Sequence, residues 1–186
     1  MLTYDDSTHV YADGETRIPS VTQVLSSYFQ VDASRFAYGS AERGRAVHAF
    51  CAAYAQGERR IWPVSPNLKP YCDAFKQWLF DSGARVLEVE QIIDSILFGR
   101  RYAGRFDLLV LLDGRRVLVD LKTGATADYY PAQVAAYSLA IEPAPARTMI
   151  LYLKQDGTYK PDYQTSAQLA GGCRTFAAAL AAWREE

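Results

Sequence analysis

The sequence predicts a mixed α/β fold, with a central mixed sheet flanked by helices, and two kinds of pattern lead to this prediction. Short runs of alternating or continuous apolar residues are typical of strands, whereas longer segments with apolar residues every three or four positions are typical of amphipathic helices. Both kinds alternate along a chain of 186 residues, of which 49% are apolar and 13% aromatic. Such a chain is long enough to bury a sizeable core.

The first forty residues are expected to form a hairpin and a short helix. Asp13-Gly14 indicates a tight turn, so residues 9–18 are predicted to form the hairpin. Ser20-Val21-Thr22-Gln23 has the spacing of a capping box, which predicts that a helix begins there. We interpret residues 1–39 as an extension of a core at residues 40–186, within one domain.

Two long helices are predicted next, and most of the sheet follows them. Residues 40–56 and 67–81 carry apolar stripes at helical spacing, and Gly83 would end the second helix. A strand is expected at residues 85–94, with residues 95–98 as an optional continuation. The remaining predicted elements are strands at residues 105–112 and 115–122, a helix from Pro131 to about Ile141, strands at residues 147–154 and 158–163, and a last helix from about Ser166.

Asp113-Gly114 is predicted to be a two-residue hairpin turn, and it sets the register of the strands beside it. Asp-Gly between two strand-like runs is the strongest short-range signal for such a hairpin. If the two residues that flank the turn form the first pair, Asp107 lies opposite Asp120 and Arg105 lies opposite Lys122. Four charged side chains would then share one face of the sheet.

Asp107 and Asp120 need a reason to face each other, because like charges directly opposite on a sheet are destabilising. A bound divalent cation supplies that reason, and removing either acid is expected to raise the melting temperature of the metal-free protein. Lys122 projects with Asp120, since side chains alternate along a strand. Carboxylates, metal and ammonium together predict hydrolysis at a phosphate. The alternative is an ordinary solvated sheet face.

His48 is predicted to lie on the helix at residues 40–56, one residue from its apolar stripe, with Gly44 one turn before it. A glycine inside a helix costs ~1 kcal/mol relative to alanine, which suggests that something approaches closely at Gly44. Taken alone, a single histidine is more often a surface or capping residue than a metal ligand.

Composition bears on nucleic-acid binding, membrane insertion and cellular location. The net charge of −1 is no global signature of a nucleic-acid binder, and no apolar run reaches the ~20 residues of a membrane span. Without a secretion signal the protein is expected in the cytoplasm, with its three distant cysteines as buried thiols. Basic residues nevertheless concentrate in the segments expected to carry the site: Arg43, Arg45, Arg100, Arg101, Arg105, Arg115, Arg116 and Lys122.

Four motifs occur along residues 40–141 in a recognisable order. They are Gly44-Arg45-Ala46-Val47-His48, Gly104-Arg105-Phe106-Asp107, Asp120-Leu121-Lys122-Thr123-Gly124 and Gln133-Val134-Ala135-Ala136-Tyr137. In order and approximate spacing they resemble the motifs of the PD-(D/E)XK nucleases, specifically the RecB-like branch. The segment at residues 11–25 is also similar to the N-terminal extension of small standalone phage-type exonucleases.

The resemblance implies a restriction-endonuclease-like core and a role for each matching residue. The site would hold one or two Mg²⁺ or Mn²⁺ ions, which favour carboxylate and water ligands. The implied roles are metal binding for His48, Asp107, Asp120 and the backbone carbonyl of Leu121, positioning of the attacking water for Lys122, and contacts with the site and the DNA backbone for Gln133 and Tyr137.

The motifs do not fix the roles of Glu90 and Arg105. Glu90 matches a glutamate often found upstream of the Gly-x-x-Asp motif, and metal, DNA or only Arg100 are all open as its partner. Arg105 matches a variable position of that motif, so its expected phosphate contact depends on the register alone. Three cysteines cannot form a four-cysteine iron-sulfur site, and the absence of a Walker motif predicts no nucleotide cofactor.

The expected function is a metal-dependent DNA nuclease, more an exonuclease than an endonuclease, in DNA recombination, repair or phage DNA processing. Its partner would be DNA, single-stranded or with free ends, and not a membrane. One alternative is an inactive DNA-binding relative, against which the complete set of His, Asp, Asp and Lys argues. The other is a non-heme iron oxygenase, for which His9 is the only second histidine, without His-x-Asp spacing.

Overall fold

The computed structural model describes residues 1–5, 10–31, 39–58 and 64–184. Strands and helices alternate along these residues as the sequence predicts. In chain order they are β1 (Leu2–Asp5), β2 (Val10–Asp13), β3 (Thr16–Ile18), α1 (Val21–Tyr28), α2 (Ser40–Ala55), α3 (Lys69–Ser82), β4 (Arg85–Leu97), β5 (Arg100–Leu112), β6 (Arg115–Lys122), α4 (Tyr130–Ala140), β7 (Arg147–Leu153), β8 (Tyr159–Tyr163) and α5 (Ser166–Ala182).

The predicted mixed sheet is formed by five strands in the order β4-β5-β6-β7-β8. Strands β6 and β7 are parallel, and the other neighbours are antiparallel. A parallel pair needs a crossover connection, which α4 supplies. A smaller sheet of β1, β2 and β3 contacts this one through a bridge between Ser20 and Ala103. The mixed α/β fold class with a helix-flanked sheet is therefore confirmed.

Helices cover both faces of the five-stranded sheet and bury two apolar cores. The first core lies under α1, α4 and α5 and includes Leu118 and Phe176. The second lies under α2 and α3 and includes Phe75 and Val119. Successive strand residues such as Leu118 and Val119 face opposite sides, which explains the continuous apolar run of β6.

Strand β5 changes the face that it presents close to Asp107. Phe106 belongs to the first core and Leu108 to the second, although residues two apart share a face in a regular strand. In the adjoining stretch of β4, Glu90 has a φ of 52°. That conformation costs an L-residue roughly 1–2 kcal/mol. Irregular backbone therefore surrounds the residues that the sequence singles out.

Most predicted boundaries agree with the structure to within two residues. The capping box of α1 is present, since Ser20 Oγ accepts from the Gln23 amide at 3.1 Å and Gln23 Oε1 accepts from the Ser20 amide at 2.9 Å. Gly83 ends α3 with a φ of 60°. The prediction from the sequence does not include β1 or the first five residues of β5. His9, at the start of the predicted opening hairpin, lies outside the described residues.

The β4–β5 hairpin is missed because its turn has unusual chemistry. Phe98 and Gly99 have φ values of 49° and 77°, and the Phe98 side chain is 87% exposed. Two-residue turns with two positive φ angles favour asparagine, aspartate or glycine at the first position, as at Asp113 in the next hairpin. An aromatic residue in that position gives no turn signal in the sequence.

Phe98 provides a test of this backbone strain. Phe98→Asn is expected to raise the free energy of unfolding by about 0.5–1 kcal/mol, because asparagine tolerates positive φ better than phenylalanine does. Urea denaturation measures the change. Phe98→Ala removes the ring but keeps a Cβ in the same conformation. Equal stabilisation by both substitutions would show that backbone strain is not the cause.

The expectation of buried thiols holds for two of the three cysteines. Cys51 and Cys72 are buried, Cys173 is half-buried, and all three are free thiols. Burial raises the pKa of the Cys72 thiol to about 11. In the part of the chain that the structure describes, none of the helices has the length and apolar character needed to cross a membrane.

Candidate functional site

The residues that the sequence selects meet in one cleft of about 810 Å³. Helices α2 and α4 and the neighbouring parts of β4, β5 and β6 contribute to its walls. Segments far apart in the chain therefore bring their charged residues together. The selected residues that line the cleft are His48, Glu90, Arg105, Asp107, Asp120, Lys122, Gln133 and Tyr137.

The predicted hairpin register is confirmed for the five pairs nearest the turn and ends with Leu108 opposite Val119. Beyond that pair, Asp107 contacts β6 through its side chain, because the Leu121 amide donates to Asp107 Oδ2 at 2.6 Å. Asp107 and Asp120 consequently line the same cleft without forming a backbone pair of this ladder.

Leu121 also presents its carbonyl on the Asp107 side of β6. The N–H and C=O groups of a strand residue point toward the same edge, as the exchange of both bonds in a hydrogen-bonded pair requires. Because the Leu121 amide donates to Asp107, its carbonyl oxygen faces that edge as well. This orientation is compatible with the metal-binding role that the resemblance implies for this carbonyl.

Arg105 is not opposite Lys122, contrary to the register prediction. It pairs with Ile92 of β4, and its Nε lies 2.7 Å from Glu90 Oε2. Its guanidinium group also lies over the ring of Tyr4, 5.1 Å from the centroid. The prediction is wrong here because the β5–β6 ladder ends earlier, which leaves β4 as the neighbouring strand of Arg105.

His48, Glu90 and Asp107 form a compact group of possible metal ligands, with ligand atoms all within 4.8 Å of one another. His48 Nδ1 lies 3.1 Å from Asp107 Oδ1. This contact is a hydrogen bond in the absence of metal, and a cation bound by both residues would replace it. Glu90 is thus one of the three possible metal ligands, and it forms an ion pair with Arg105 rather than with Arg100.

Electrostatic attraction between His48 and Asp107 outweighs the effect of burial on both. Burial alone would lower the pKa of His48, but the Asp107 carboxylate raises it above its ordinary value. Burial alone would raise the pKa of Asp107, but His48 and Lys122 hold it below its ordinary value. Asp107 is therefore an anion at neutral pH, as a metal ligand must be.

Asp120 and Lys122 form the second charged pair of the cleft. Burial raises the pKa of Asp120, and repulsion from Asp107 acts in the same direction. For Lys122, burial is outweighed by the Asp120 and Asp107 carboxylates, which raise its pKa above the ordinary value. Asp120 Oδ2 lies 2.7 Å from Lys122 Nζ, yet this buried oxygen lacks a hydrogen bond of good geometry. An oxygen in that condition suits a cation.

Lys122 is held from helix α4 by a chain of polar contacts. Its Nζ donates to Gln133 Oε1 at 3.1 Å, and Gln133 Nε2 donates to the Tyr137 hydroxyl at 3.2 Å. Burial, assisted by the Asp120 charge, raises the pKa of Tyr137 to about 12, so its hydroxyl stays protonated. Lys122 Nζ also lies 4.6 Å from the ring centroid of Tyr130, a contact that no sequence motif indicates.

Close packing explains why residue 104, in the second motif, is a glycine. A Cβ at this position would lie 2.7 Å from Cε1 of Tyr137 and 3.3 Å from Cγ2 of Val21, so a side chain would displace the Tyr137 ring. Gly44 differs, because a Cβ there would meet only Thr123 Oγ1, at 3.8 Å. Among the described residues nothing approaches Gly44 closely, and the glycine simply borders the cleft.

Only part of the basic cluster predicted from the sequence surrounds this cleft. Arg45, Arg105 and Lys122 line it, whereas Arg100 and Arg101 line a different cleft beside α1. Arg115 pairs with Leu112 at the opposite end of β5 from Arg100. The sequence pattern cannot separate these groups, because neighbours in sequence occupy distant ends of long strands.

Comparison with known proteins matches the chain to a family and to a fold. The sequence model of the PD-(D/E)XK nuclease superfamily matches residues 65–186, which include every predicted site residue except His48. Comparison with curated proteins finds no match. The structure is similar to a candidate exonuclease from Eubacterium rectale, with a TM-score of 0.55 and 12% sequence identity over 87% of this chain and 72% of that chain. This likeness shows a shared fold.

Two further solved structures align over most of the chain with lower scores. A phage-related exonuclease from Haemophilus somnus aligns with a TM-score of 0.43 and 8% identity, over 88% of this chain and 91% of that chain. LHK-Exo in complex with dAMP aligns with a TM-score of 0.39 and 15% identity, over 88% of this chain and 86% of that chain.

Proposed function

Because the chain belongs to the PD-(D/E)XK nuclease superfamily, we propose that it hydrolyses phosphodiester bonds in DNA with Mg²⁺ or Mn²⁺, as an exonuclease. The observation that carries the proposal is the cluster of His48, Glu90 and Asp107 in the same cleft as the Asp120–Lys122 pair. Nucleases of this superfamily use divalent metals, which agrees with this donor set. The name of the structural neighbour from Eubacterium rectale supports the choice of an exonuclease.

The metal-binding role is assigned to His48, Asp107, Asp120 and the carbonyl of Leu121, and Glu90 is added to this set. Four oxygen donors and one imidazole favour a hard cation, and the absence of thiolates in the cleft argues against a soft one. A bound divalent cation would supply Lewis-acid activation of water and neutralisation of phosphate charge. Asp120 Oδ2 is buried without a well-aligned hydrogen bond, and the ligand atoms of the His48 cluster lie within 4.8 Å of one another. Both features fit such an ion.

Lys122 is assigned to orient the attacking water and to stabilise negative charge on the phosphate. The Asp120 and Asp107 carboxylates raise its pKa, so the metal-free protein holds a protonated ammonium at neutral pH, as this role requires. Lys122 Nζ donates to Gln133 Oε1 and lies 2.7 Å from Asp120 Oδ2, so the ammonium is held between these two groups. Tyr137 holds Gln133 in place and lines the cleft where the DNA backbone would lie.

The proposal is tested by incubating the protein with two kinds of labelled DNA. Linear single-stranded and double-stranded DNA carry an end label, and circular DNA, which has no ends, carries an internal label. Mg²⁺- or Mn²⁺-dependent loss of label from linear DNA, abolished by EDTA and absent with circular DNA, is the expected result. Cleavage of circular DNA at the same rate would identify an endonuclease. Binding without cleavage under every metal condition would identify the inactive relative and overturn the proposed activity.

The iron oxygenase alternative receives no support from the described residues. His48 is the histidine of the candidate cluster, where it is joined by two carboxylates rather than by a second histidine. The other histidine of the chain, His9, lies outside the described residues. The DNA assay separates this class as well, since an oxygenase would leave the labelled DNA intact.

His48→Ala is expected to raise the Mg²⁺ concentration needed for half-maximal cleavage by roughly 10-fold or more, with partial recovery of activity at high Mn²⁺. The reason is the loss of a ligand that contacts Asp107 at 3.1 Å. Metal titrations of the cleavage rate measure the effect. Arg45→Ala, on the same helix and cleft, is the control and should leave the metal titration unchanged. A wild-type titration for His48→Ala would remove this residue from the metal-binding set.

Arg105→Ala is expected to weaken DNA binding and to reduce the slope of log affinity against log salt by about 0.7–0.9, the value for one phosphate contact. Arg105 lines the cleft and is not proposed to bind metal, so Mg²⁺ affinity should not weaken. Fluorescence anisotropy with labelled DNA in EDTA measures the slope. If affinity and slope both match the wild type, Glu90 is the functional partner of Arg105 and the phosphate role is incorrect.

A further inference from the structure

A second cleft, of about 840 Å³, adjoins the candidate site across helix α1. Thr22 lines the candidate site, whereas Ser26 and Ser27 on the adjoining face of the helix line the second cleft. Its other walls are β3, the start of β5 and the end of α5. We call it the arginine cleft, after the four residues Arg17, Arg100, Arg101 and Arg184 in its lining.

Charge in the arginine cleft is only partly neutralised by the protein. Arg101 pairs with Asp13 and Asp94, each at 2.7 Å. Within the described part of the chain, neither Arg17, Arg100 nor Arg184 forms an ion pair with a carboxylate. Three guanidinium groups from distant parts of the sequence therefore line one cleft without counter-ions among the described residues.

Two of these arginines are held in place by backbone carbonyls at the end of α5. Arg100 Nη1 donates to the Trp183 carbonyl at 3.4 Å, and Arg184 Nη1 donates to the carbonyls of Ala181 and Trp183 at 3.2 and 2.9 Å. The helix end offsets only roughly half a unit of charge. A guanidinium group carries five N–H donors, so most donors of both side chains remain available to a ligand.

The remaining lining suits a nucleotide chain. Guanidinium groups bind phosphate oxygens through paired charge-assisted hydrogen bonds, and the hydroxyls of Ser26 and Ser27 add further donors. Trp183, a half-buried aromatic residue packed against the first core, also lines the cleft, and aromatic side chains are the groups on which proteins stack unpaired bases. Phosphate-binding groups and an aromatic residue thus occur together in a cleft that has no carboxylate side chain among the described residues lining it.

We propose that the arginine cleft binds the phosphate backbone of a single-stranded segment of the DNA substrate, a few nucleotides from the bond that is cleaved. This inference rests on the proposed nuclease function. Thr22 of the candidate site and Ser26 of the arginine cleft are one helical turn of about 5.4 Å apart on α1, so the linings of the two clefts come close together. A strand held in the candidate site can therefore reach the arginine cleft.

The test compares two double variants that lose the same charge. Arg17→Ala with Arg100→Ala removes two arginines of the cleft, and Arg85→Ala with Arg115→Ala removes two exposed arginines at the opposite end of the β4–β5 hairpin. Strand β5 has 13 residues, so the control pair lies about 40 Å away. Thermal unfolding checks that both variants are folded.

Binding of a fluorescein-labelled single strand of about 20 nucleotides is measured by anisotropy in EDTA at several salt concentrations. The cleft variant is expected to bind at least 10-fold more weakly, with a log–log salt slope smaller by about 1.4, the value for two single-strand phosphate contacts. The control variant should match the wild type. With Mg²⁺ present, the cleft variant should lose any preference for long over very short substrates.

The outcomes separate this inference from the proposed function. Equal losses in both double variants, or none in either, overturn the arginine cleft as a DNA site, and metal-dependent cleavage by the wild type would still support the nuclease. A wild-type protein that binds DNA without cleaving it fails the proposed function, yet a loss confined to the cleft variant still supports the inference. Absence of DNA binding overturns both. Polyglutamate serves as a probe for acidic peptides. If the cleft variant loses polyglutamate binding but retains DNA binding, the cleft is assigned to acidic peptides, and the inference is overturned.

Discussion

Replacing Lys122 by methionine is expected to reduce metal-dependent DNA cleavage on the order of 10³-fold, because no other cation is held by Asp120 and Gln133 in the described cleft. Asp107→Asn and Asp120→Asn are expected to cause losses of similar size, because a neutral amide is a poor substitute for an anionic metal ligand. Initial rates with end-labelled DNA measure all three. Asp113→Asn, in the distant turn, is the control. Cleavage near the wild-type rate by any of the three site variants would contradict the site assignment.

Stability of the same variants tests how the charges of the cleft are balanced without metal. The sequence alone suggests that repulsion between Asp107 and Asp120 dominates, so that removal of either raises the melting temperature. In the structure each carboxylate has a basic partner: Asp107 contacts His48, and Asp120 contacts Lys122 at 2.7 Å. Breaking a buried pair by removing one partner typically costs about 3 kcal/mol.

Asp107→Asn is therefore expected to lower the melting temperature of the metal-free protein, opposite to the expectation from the register, because His48 and Lys122 hold the pKa of this carboxyl below its ordinary value. Asp120→Asn is the comparison and should not lose stability in this way, since burial and repulsion from Asp107 raise the pKa of Asp120. Calorimetry in EDTA on the two single variants measures the difference. A higher melting temperature for Asp107→Asn than for the wild type would show that carboxylate repulsion dominates after all.

Gly172→Ala is expected to destabilise the protein by about 3 kcal/mol, through a clash between α5 and α4. A Cβ at Gly172 would lie 2.8 Å from the carbonyl carbon of Pro131 and 3.0 Å from Cβ of Ala135. The Pro131 contact is with backbone, which cannot rotate away. Helix α4 also carries Gln133, so the clash should lower the cleavage rate where the variant is still folded.

Gly171→Ala is the matched control for this prediction. Its Cβ would meet only the far end of the Arg174 side chain, at 3.9 Å. Alanine in place of glycine inside a helix should therefore stabilise by up to ~1 kcal/mol. Urea unfolding compares the two variants. Similar free energies of unfolding would mean that α4 and α5 can separate at little cost and that their close approach is not required.

Local signals in the sequence account for most of the secondary structure and for the Asp120–Lys122 pair of the site. The Asp113-Gly114 turn predicts five observed residue pairs, and the Ser20 capping box marks the start of α1. Alternation along β6 places Asp120 and Lys122 together, as observed. These features depend on residues at most a few positions apart, where turn chemistry, capping and strand periodicity decide the conformation.

The order and spacing of the four motifs, through their resemblance to the superfamily, bring His48, Gln133 and Tyr137 into the list of site residues, and all three line the cleft. Periodicity alone would not have selected them, because a histidine or a glutamine on a helix has many structural uses. The roles of these residues stay predictions until the variants are measured.

Tertiary structure alone decided which charged residues became neighbours beyond the hairpin ladder. The β5–β6 ladder ends before Arg105, so this arginine contacts Glu90 of β4 instead of Lys122. The left-handed backbone at Glu90 and the change of face between Phe106 and Leu108 have no local sequence signal. Packing of segments that are distant in sequence also divides the arginines between two clefts. Strand divergence and helix packing depend on contacts across the whole fold, which residue spacing within one segment does not encode.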